Sequence, residues 1–171
     1  MKTKLTYLDT GESAQLEGIT EILIKINRSA AVVKGGRRFS FSALTIAGDR
    51  GGLVGHGFGK ARQVPPAIEK AAKDARKHMI RVPLNAAGSI PHEVTGRFCG
   101  STIRLLPASA GTGIIAGASV RAVCEMAGIK NILSKAYGST TPINLIKATF
   151  HALYLLRTVE EVTKLRGVEL S

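Results

Sequence analysis

Acidic side chains are scarce in this chain: 12 Asp and Glu stand against 24 Lys and Arg in 171 residues, a formal net charge of +12. A surplus of that size points to a polyanionic partner, either nucleic acid or an anionic membrane surface. Cysteine is nearly absent. Cys99 and Cys124 are too few for a disulfide framework or a self-contained zinc site, and the simplest reading is a reduced, cytosol-like compartment. No apolar run approaches the ~20 residues of a membrane-spanning helix. Residues 1–14 carry Lys2 and Lys4 but no apolar h-region, so no secretory signal is expected. What is present is a hydrophobic content of 44%, too high for a disordered chain. The length allows one domain or two small ones, each with a core.

The positive charge is uneven. Residues 1–24 hold two Lys and four acids, whereas residues 25–81 hold thirteen Lys/Arg and three acids, a local net charge of +10. Residues 82–171 hold nine Lys/Arg and five acids. One third of the chain therefore carries most of the field, which is the footprint of phosphate contact and more than solubility requires.

Two α+β units are expected, of order βββα and then ββαβα. Residues 1–20 read as an N-terminal arm. In the first unit, residues 21–83, Ile22, Ile24 and Ile26 alternate with Leu23, Lys25 and Asn27 as on a strand. Residues 34–38 read as a cation-loaded glycine turn, residues 39–47 as a second strand and residues 53–59 as a third, after a turn at residues 48–52. Pro65 and Pro66 open a helix whose buried stripe runs through Val64, Ala67, Ile68, Ala71, Ala72, Ala75 and Met79, ending before Pro83. Lys70, Lys73, Lys77 and Arg81 form a cationic stripe on another of its faces. Residues 84–89 read as a linker. The second unit, residues 90–157, has strands at 92–97 and 103–107, a helix at 114–127 closed by Gly128, a strand at 132–137 and a last helix capped by Thr141 with Pro142 at its first position. Residues 158–171 read as a C-terminal tail.

Three motifs bear on chemistry. Asn27, Arg28 and the run Lys34-Gly35-Gly36-Arg37-Arg38 combine cations with glycines that let a backbone come close to phosphate. The bland reading of that run is a hairpin turn with solvated charges. Phe39 and Phe41 could stack on bases, but their alternate spacing favours the core. Gly55-His56-Gly57-Phe58-Gly59-Lys60 fits neither the dinucleotide fingerprint nor the P-loop. Its alternating glycines clear one strand face for something bulky, either RNA or a helix of the same chain. Residues 111–117, Gly-Thr-Gly-Ile-Ile-Ala-Gly, lie at an expected strand-to-helix junction, where free N–H groups bind anions. They are the hook for an alternative reading as a phosphoryl-transfer or nucleotide-binding protein, although close helix packing explains the glycines equally well. The acids near them form no pair for Mg²⁺ or a general base. His56, His78, His92 and His151 are scattered, and no nucleophile motif is present. No catalytic residue, metal or cofactor is expected.

Several stretches occur in order and at matching spacing over residues 21–156. They are Asn27-Arg28, Val33 to Phe41, Gly48-Asp49, Gly55 to Arg62 with Val64-Pro65, Pro107-Ala108-Ser109, Gly111 to Gly117, Lys135 to Ser139, and Pro142-Ile143-Asn144. Together they resemble the bacterial small-subunit ribosomal protein five family. The resemblance implies a double-stranded-RNA-binding-like N-terminal domain and a C-terminal domain with a left-handed βαβ crossover, against the usual hand. It implies a structural constituent of the small ribosomal subunit, cytoplasmic and ribosome-bound. Such a protein contacts small-subunit ribosomal RNA near the decoding region and the mRNA entrance, neighbours small-subunit proteins four and eight, and supports translational accuracy. Neither a membrane nor a small-molecule substrate is implied.

By position, Arg28, Lys34, Gly35, Gly36, Arg37 and Arg38 would form the RNA-facing loop, which in the family lies near the spectinomycin site. Lys25, Arg50, Lys60, Arg62, Lys70, Lys73 and Lys77 complete the expected RNA-binding set. Gly113, Ile114, Ile115, Gly117 and Arg121 would face protein four. One departure falls in this region: Ala31 stands where the family commonly carries lysine. A free double-stranded-RNA-binding regulator is the third reading, separable by whether the protein tracks with the small subunit.

Overall fold

The computed structural model describes residues 18–167, which form two compact units. The arm expected at residues 1–20 lies, up to residue 17, outside the described residues. Among the described residues the fold is α+β, with two four-stranded sheets and four helices.

In the first unit β1 (Thr20–Val33), β2 (Gly36–Gly48) and β3 (Leu53–Ala61) run antiparallel, and α1 (Val64–Lys77) covers one face of their sheet. The helix begins where the paired prolines sit, since the first turn has N–H groups to spare. It ends earlier than its apolar period implies. His78 is the C-cap, and Met79–Arg81 forms a short strand, β4, antiparallel to β3. Met79 is buried as expected, but from a strand, and Arg81 is not on the helix. The cationic stripe is thus Lys70, Lys73 and Lys77 alone.

The alternating glycines of β3 are explained by this helix. An added Cβ on Gly55, Gly57 or Gly59 would collide with the carbonyl of Ala75, Ala71 or Ala67. Those three alanines are fully buried. Missing side chains on the strand and short ones on the helix bring the two backbones together. Of the two bulky occupants the glycines could admit, the structure has the helix. Asp74, also on α1, accepts a hydrogen bond from the Phe58 N–H at 2.9 Å. β4 pairs only with residues 53–55, so this carboxylate serves part of the β3 edge that β4 leaves bare.

In the second unit β5 (Val94–Phe98) and β6 (Ser101–Pro107) form a hairpin turned through Cys99-Gly100, with Cys99 at φ 49°. The helix expected from residue 114 starts later. Ile114–Ile115 is a two-residue strand, β7, and α2 spans Ala118–Met126. β7 pairs in parallel with β8 (Ile132–Gly138), so the sheet order is β5-β6-β8-β7. Gly128 has φ 79°, the left-handed conformation expected after α2. α3 (Pro142–Tyr154) buries Ile146, Phe150 and Leu153. Thr141 occupies the N-cap of α3, but its side chain makes no capping bond; its hydroxyl lies 3.1 Å from that of Ser139. The glycine device recurs, for a Cβ on Gly96 of β5 would strike the Ala148 carbonyl of α3.

Two loop readings gain detail. Residues 84–89, expected as a linker, contain a bonded turn: the Asn85 N–H donates to the Ser89 carbonyl at 2.9 Å and the Ser89 N–H to Asn85 Oδ1 at 2.8 Å. The expected tail contains α4 (Val159–Arg166), held by a capping box in which Thr158 and Glu161 exchange side-chain bonds at 3.2 and 3.1 Å.

Gly57→Ala should destabilise the protein by about 3 kcal/mol through overpacking. Gly35→Ala, where an added Cβ meets nothing within 4 Å, should stay within about 0.5 kcal/mol of wild type. Urea unfolding of the two variants checks the pair.

Candidate nucleic-acid interface

β3 meets β2 only as far as the pair Phe41–Ala61, so Ser29–Val33 and Gly36–Ser40 continue as a two-stranded extension of the sheet. Every residue of that extension is exposed. Its turn is only Lys34-Gly35, and Arg37 and Arg38 belong to β2, paired with Val32 and Ala31. The expected five-residue loop is therefore a tight turn with two strands behind it. Gly36, at φ 143°, supplies the backbone conformation that L side chains avoid.

This changes how the cations are arranged. Neighbours on a strand point to opposite faces, and residues paired across strands share a face. Arg37 thus lies with Phe39, Phe41 and Arg28 on the side that α1 covers further along, where Phe41 and Ala43 meet Ala67 and Ala71. Arg38 lies with Lys25 and, through Ser42, Lys60 on the other side. The hairpin is cationic on both faces. Phe39 departs from its expected place in the core: it is 41% exposed, and the Arg28 guanidinium sits 4.8 Å over its ring. Lys60 lies likewise 5.4 Å from the Phe58 ring. At exposed positions such cation–π contacts are worth about 0.5–1 kcal/mol each.

Arg62 follows β3 at the same end of the sheet, and Lys70, Lys73 and Lys77 are exposed on α1. Arg50 is not brought to this group. It sits in the β2–β3 turn at the opposite end of β2, at φ 57°, beside Asp49, whose Oδ1 accepts the Gly51 and Leu53 N–H groups at 2.7 and 2.9 Å. Among the described residues the ion pairs are Arg76–Glu21, His78–Asp74 and Arg104–Glu93. Among the described residues none of the hairpin cations is in an ion pair, which leaves their charge for a ligand.

The second group is contiguous. Gly113 precedes β7, Ile114 and Ile115 form it, and Arg121 lies exposed on α2 with its N–H bonded to the Gly117 carbonyl at 2.8 Å. The residue missed by sequence reading is Asn131. It is 6% exposed, and its Oδ1 accepts the N–H groups of both Gly111 and Gly113 at 3.1 Å. Its Nδ2 donates to the Ala87 carbonyl at 2.9 Å. The amides that would cradle a phosphate are already bonded to an internal side chain. They do not open the helix directly, because β7 lies between them and Ala118, where α2 begins. The nucleotide-binding alternative is therefore not favoured. Cys124 is buried, which pushes its thiol up to about 12, with Glu125 adding to the rise. No helix among the described residues is long and apolar enough to cross a membrane.

Comparison with known proteins decides the family. Residues 19–83 match the family described as ribosomal protein S5, N-terminal domain, and residues 96–166 match ribosomal protein S5, C-terminal domain. The small ribosomal subunit protein uS5 of Rhodopirellula baltica is 54% identical over 151 residues, covering 88% of this chain and 85% of that protein. The protein of the same name from Shewanella sp. (strain ANA-3) is 53% identical over 157 residues, 92% of this chain and 93% of its own. The chain belongs to the bacterial-type uS5 family. The resemblance read from the hairpin and glycine motifs is thereby upheld. In this uS5-family chain the first part of the glycine-rich stretch, residues 111–113, is a segment braced by Asn131, and β7 follows it.

Asn131→Ala should cost about 3 kcal/mol, since it strips one carbonyl and two amides of their partner. Denaturant unfolding measures the loss, and a change below about 1 kcal/mol would remove the bracing role.

Proposed function

We propose that the β1–β2 hairpin is the main RNA-binding element of this protein, with Lys60, Arg62 and the α1 stripe of Lys70, Lys73 and Lys77 extending it. As a uS5-family member the protein is a structural constituent of the small ribosomal subunit. The observation that carries the finer reading is the exposed hairpin, whose cations Lys25, Arg28, Lys34, Arg37 and Arg38 lie on both faces and at the turn and, among the described residues, have no acidic partner in an ion pair. Lys and Arg neutralise phosphates and release counterions, and the small turn lets RNA approach the backbone. A hairpin charged on both sides fits between two RNA backbones, where a one-sided patch would grip only one. Phe39, held under Arg28, offers an exposed ring edge to a base or sugar.

Within the same proposal, the bound ribosomal RNA lies near the decoding region and the mRNA entrance, and the protein supports translational accuracy there. Small-subunit proteins four and eight are its neighbours, with residues 113–121 turned towards protein four. The protein acts in the cytoplasm on the ribosome, without catalysis or a cofactor of its own. Residues 21–83 and 90–157 are its two domains. Arg50, at the far end of β2, makes a separate contact or none.

Replacing both Arg37 and Arg38 by Ala should reduce the slope of log K against log salt by about two for a small-subunit ribosomal RNA fragment. Filter binding over a salt series reads this directly, and an unchanged slope would refute the hairpin assignment. In a sucrose gradient the wild-type protein should co-migrate with the small subunit at high salt; a peak free of subunits would reopen the regulator reading.

A further inference from the structure

The sheet of the second unit has one face against α3 and one face open. Val94, Ile103, Leu105 and Ile132 are buried, and Gly96 lies against α3, on the covered face. Register places three cross-strand rows on the open face, the one nearest β7 being the apolar row Leu106, Leu133 and Ile115. Arg97, Thr102 and Tyr137 form one, and Thr95, Arg104 and Lys135 form the next. Tyr137 is 50% exposed, and Arg97, Arg104 and Lys135 are all exposed.

Two features of this face are unfavourable without a ligand. A large aromatic ring stands half in water on a flat surface, where it contributes little to the core. Arg104 and Lys135 are also directly opposite one another on adjacent strands, and like charges so placed destabilise a sheet. Glu93 offsets part of this by pairing with Arg104 at 2.6 Å, a hydrogen bond that holds the Glu93 carboxyl below its ordinary range. Among the described residues, Arg97 and Lys135 are in no ion pair. An anion over the second row would relieve the repulsion, and a flat π-system would cover the ring. Unpaired nucleotides supply both at the spacing of one strand, since each base has a face to stack and each linkage carries a phosphate. A duplex supplies phosphates but keeps its bases stacked on one another, out of reach of Tyr137.

We propose that the open face of the second sheet binds a single-stranded segment of RNA, with Tyr137 as the stacking platform and Arg97 and Lys135 as phosphate contacts. The proposal rests on the reading of the protein as RNA-binding but uses a surface separate from the β1–β2 hairpin and a different form of RNA. The hairpin grips backbones; this face takes an exposed base.

The test uses the full chain with fluorescein-labelled oligouridylate and, separately, an RNA duplex of the same length. Tyr137→Ala should weaken oligouridylate binding at least about fivefold, while Tyr137→Phe, which keeps the ring, should stay within about twofold of wild type. Lys135→Glu should weaken it as well and lower its salt dependence. Neither Tyr137 variant should alter duplex binding. The Arg37→Ala, Arg38→Ala double variant should weaken duplex binding and leave the Tyr137→Ala effect on oligouridylate in place, so failure of the hairpin reading and failure of this one are distinguishable. Oligouridylate binding unchanged in both Tyr137→Ala and Lys135→Glu would overturn the proposal. So would variants that bind RNA normally but fail to join the small subunit, which would assign the face to a protein.

Discussion

Both units depend on how closely a helix can approach a sheet. In the first, three glycines on one face of β3 leave room for three alanines of α1, so that helix carbonyls lie where strand side chains would otherwise stand. In the second, Gly96 does the same beneath Ala148 and Ala152. Close approach maximises dispersion contacts per residue where large side chains are few. The aromatic content of the chain is only 5%, so its cores cannot rely on bulky rings. Helix and sheet are then locked to one relative placement, because any slide would set a Cβ against a carbonyl. A rigid base of this kind is what allows a thin two-stranded extension to project from it in a defined direction.

The electrostatic layout follows from that base. α1 covers one sheet face as far as Phe41, and beyond it none of the described helices covers the exposed hairpin. Apolar side chains there would be a liability, and the sequence supplies cations, serines and alanines between the few apolar positions. Val32 and Phe39 remain exposed, the second beneath Arg28. Charge on such a projection has little low-dielectric surrounding to strengthen it internally. Its energy is realised when phosphates arrive and counterions leave. The Arg76–Glu21 pair, by contrast, links α1 to the root of β1 and serves the fold.

Much of this architecture is legible in the residues, and the exceptions have physical causes. The paired prolines mark the start of α1, and Gly128 marks the reversal just beyond α2, because each backbone conformation is favoured by one residue type. The end of α1 is hidden because Met79 keeps the helical period while serving a strand. β7 escapes because two residues carry no period, and its parallel pairing depends on β8, far along the chain. Asn131 escapes because an asparagine that braces a distant turn looks like any other polar residue. α4 was there to be seen, for Thr158 and Glu161 have capping-box spacing. The five hairpin cations are legible as a group, but their division between two faces requires knowing that the strands run through Arg37 and Arg38.

That division constrains how the hairpin can change in length. Side chains alternate with a strict period of two, so deleting one residue from β2 near Arg38 would turn the part of the strand nearer the turn, Arg37 included, to the opposite face while Lys25 and Arg28 on β1 keep theirs. Loss of two residues would shorten the projection and keep each face's chemistry. Length changes that keep both cationic faces therefore take two residues in each strand, and they alter only how far the hairpin reaches outward.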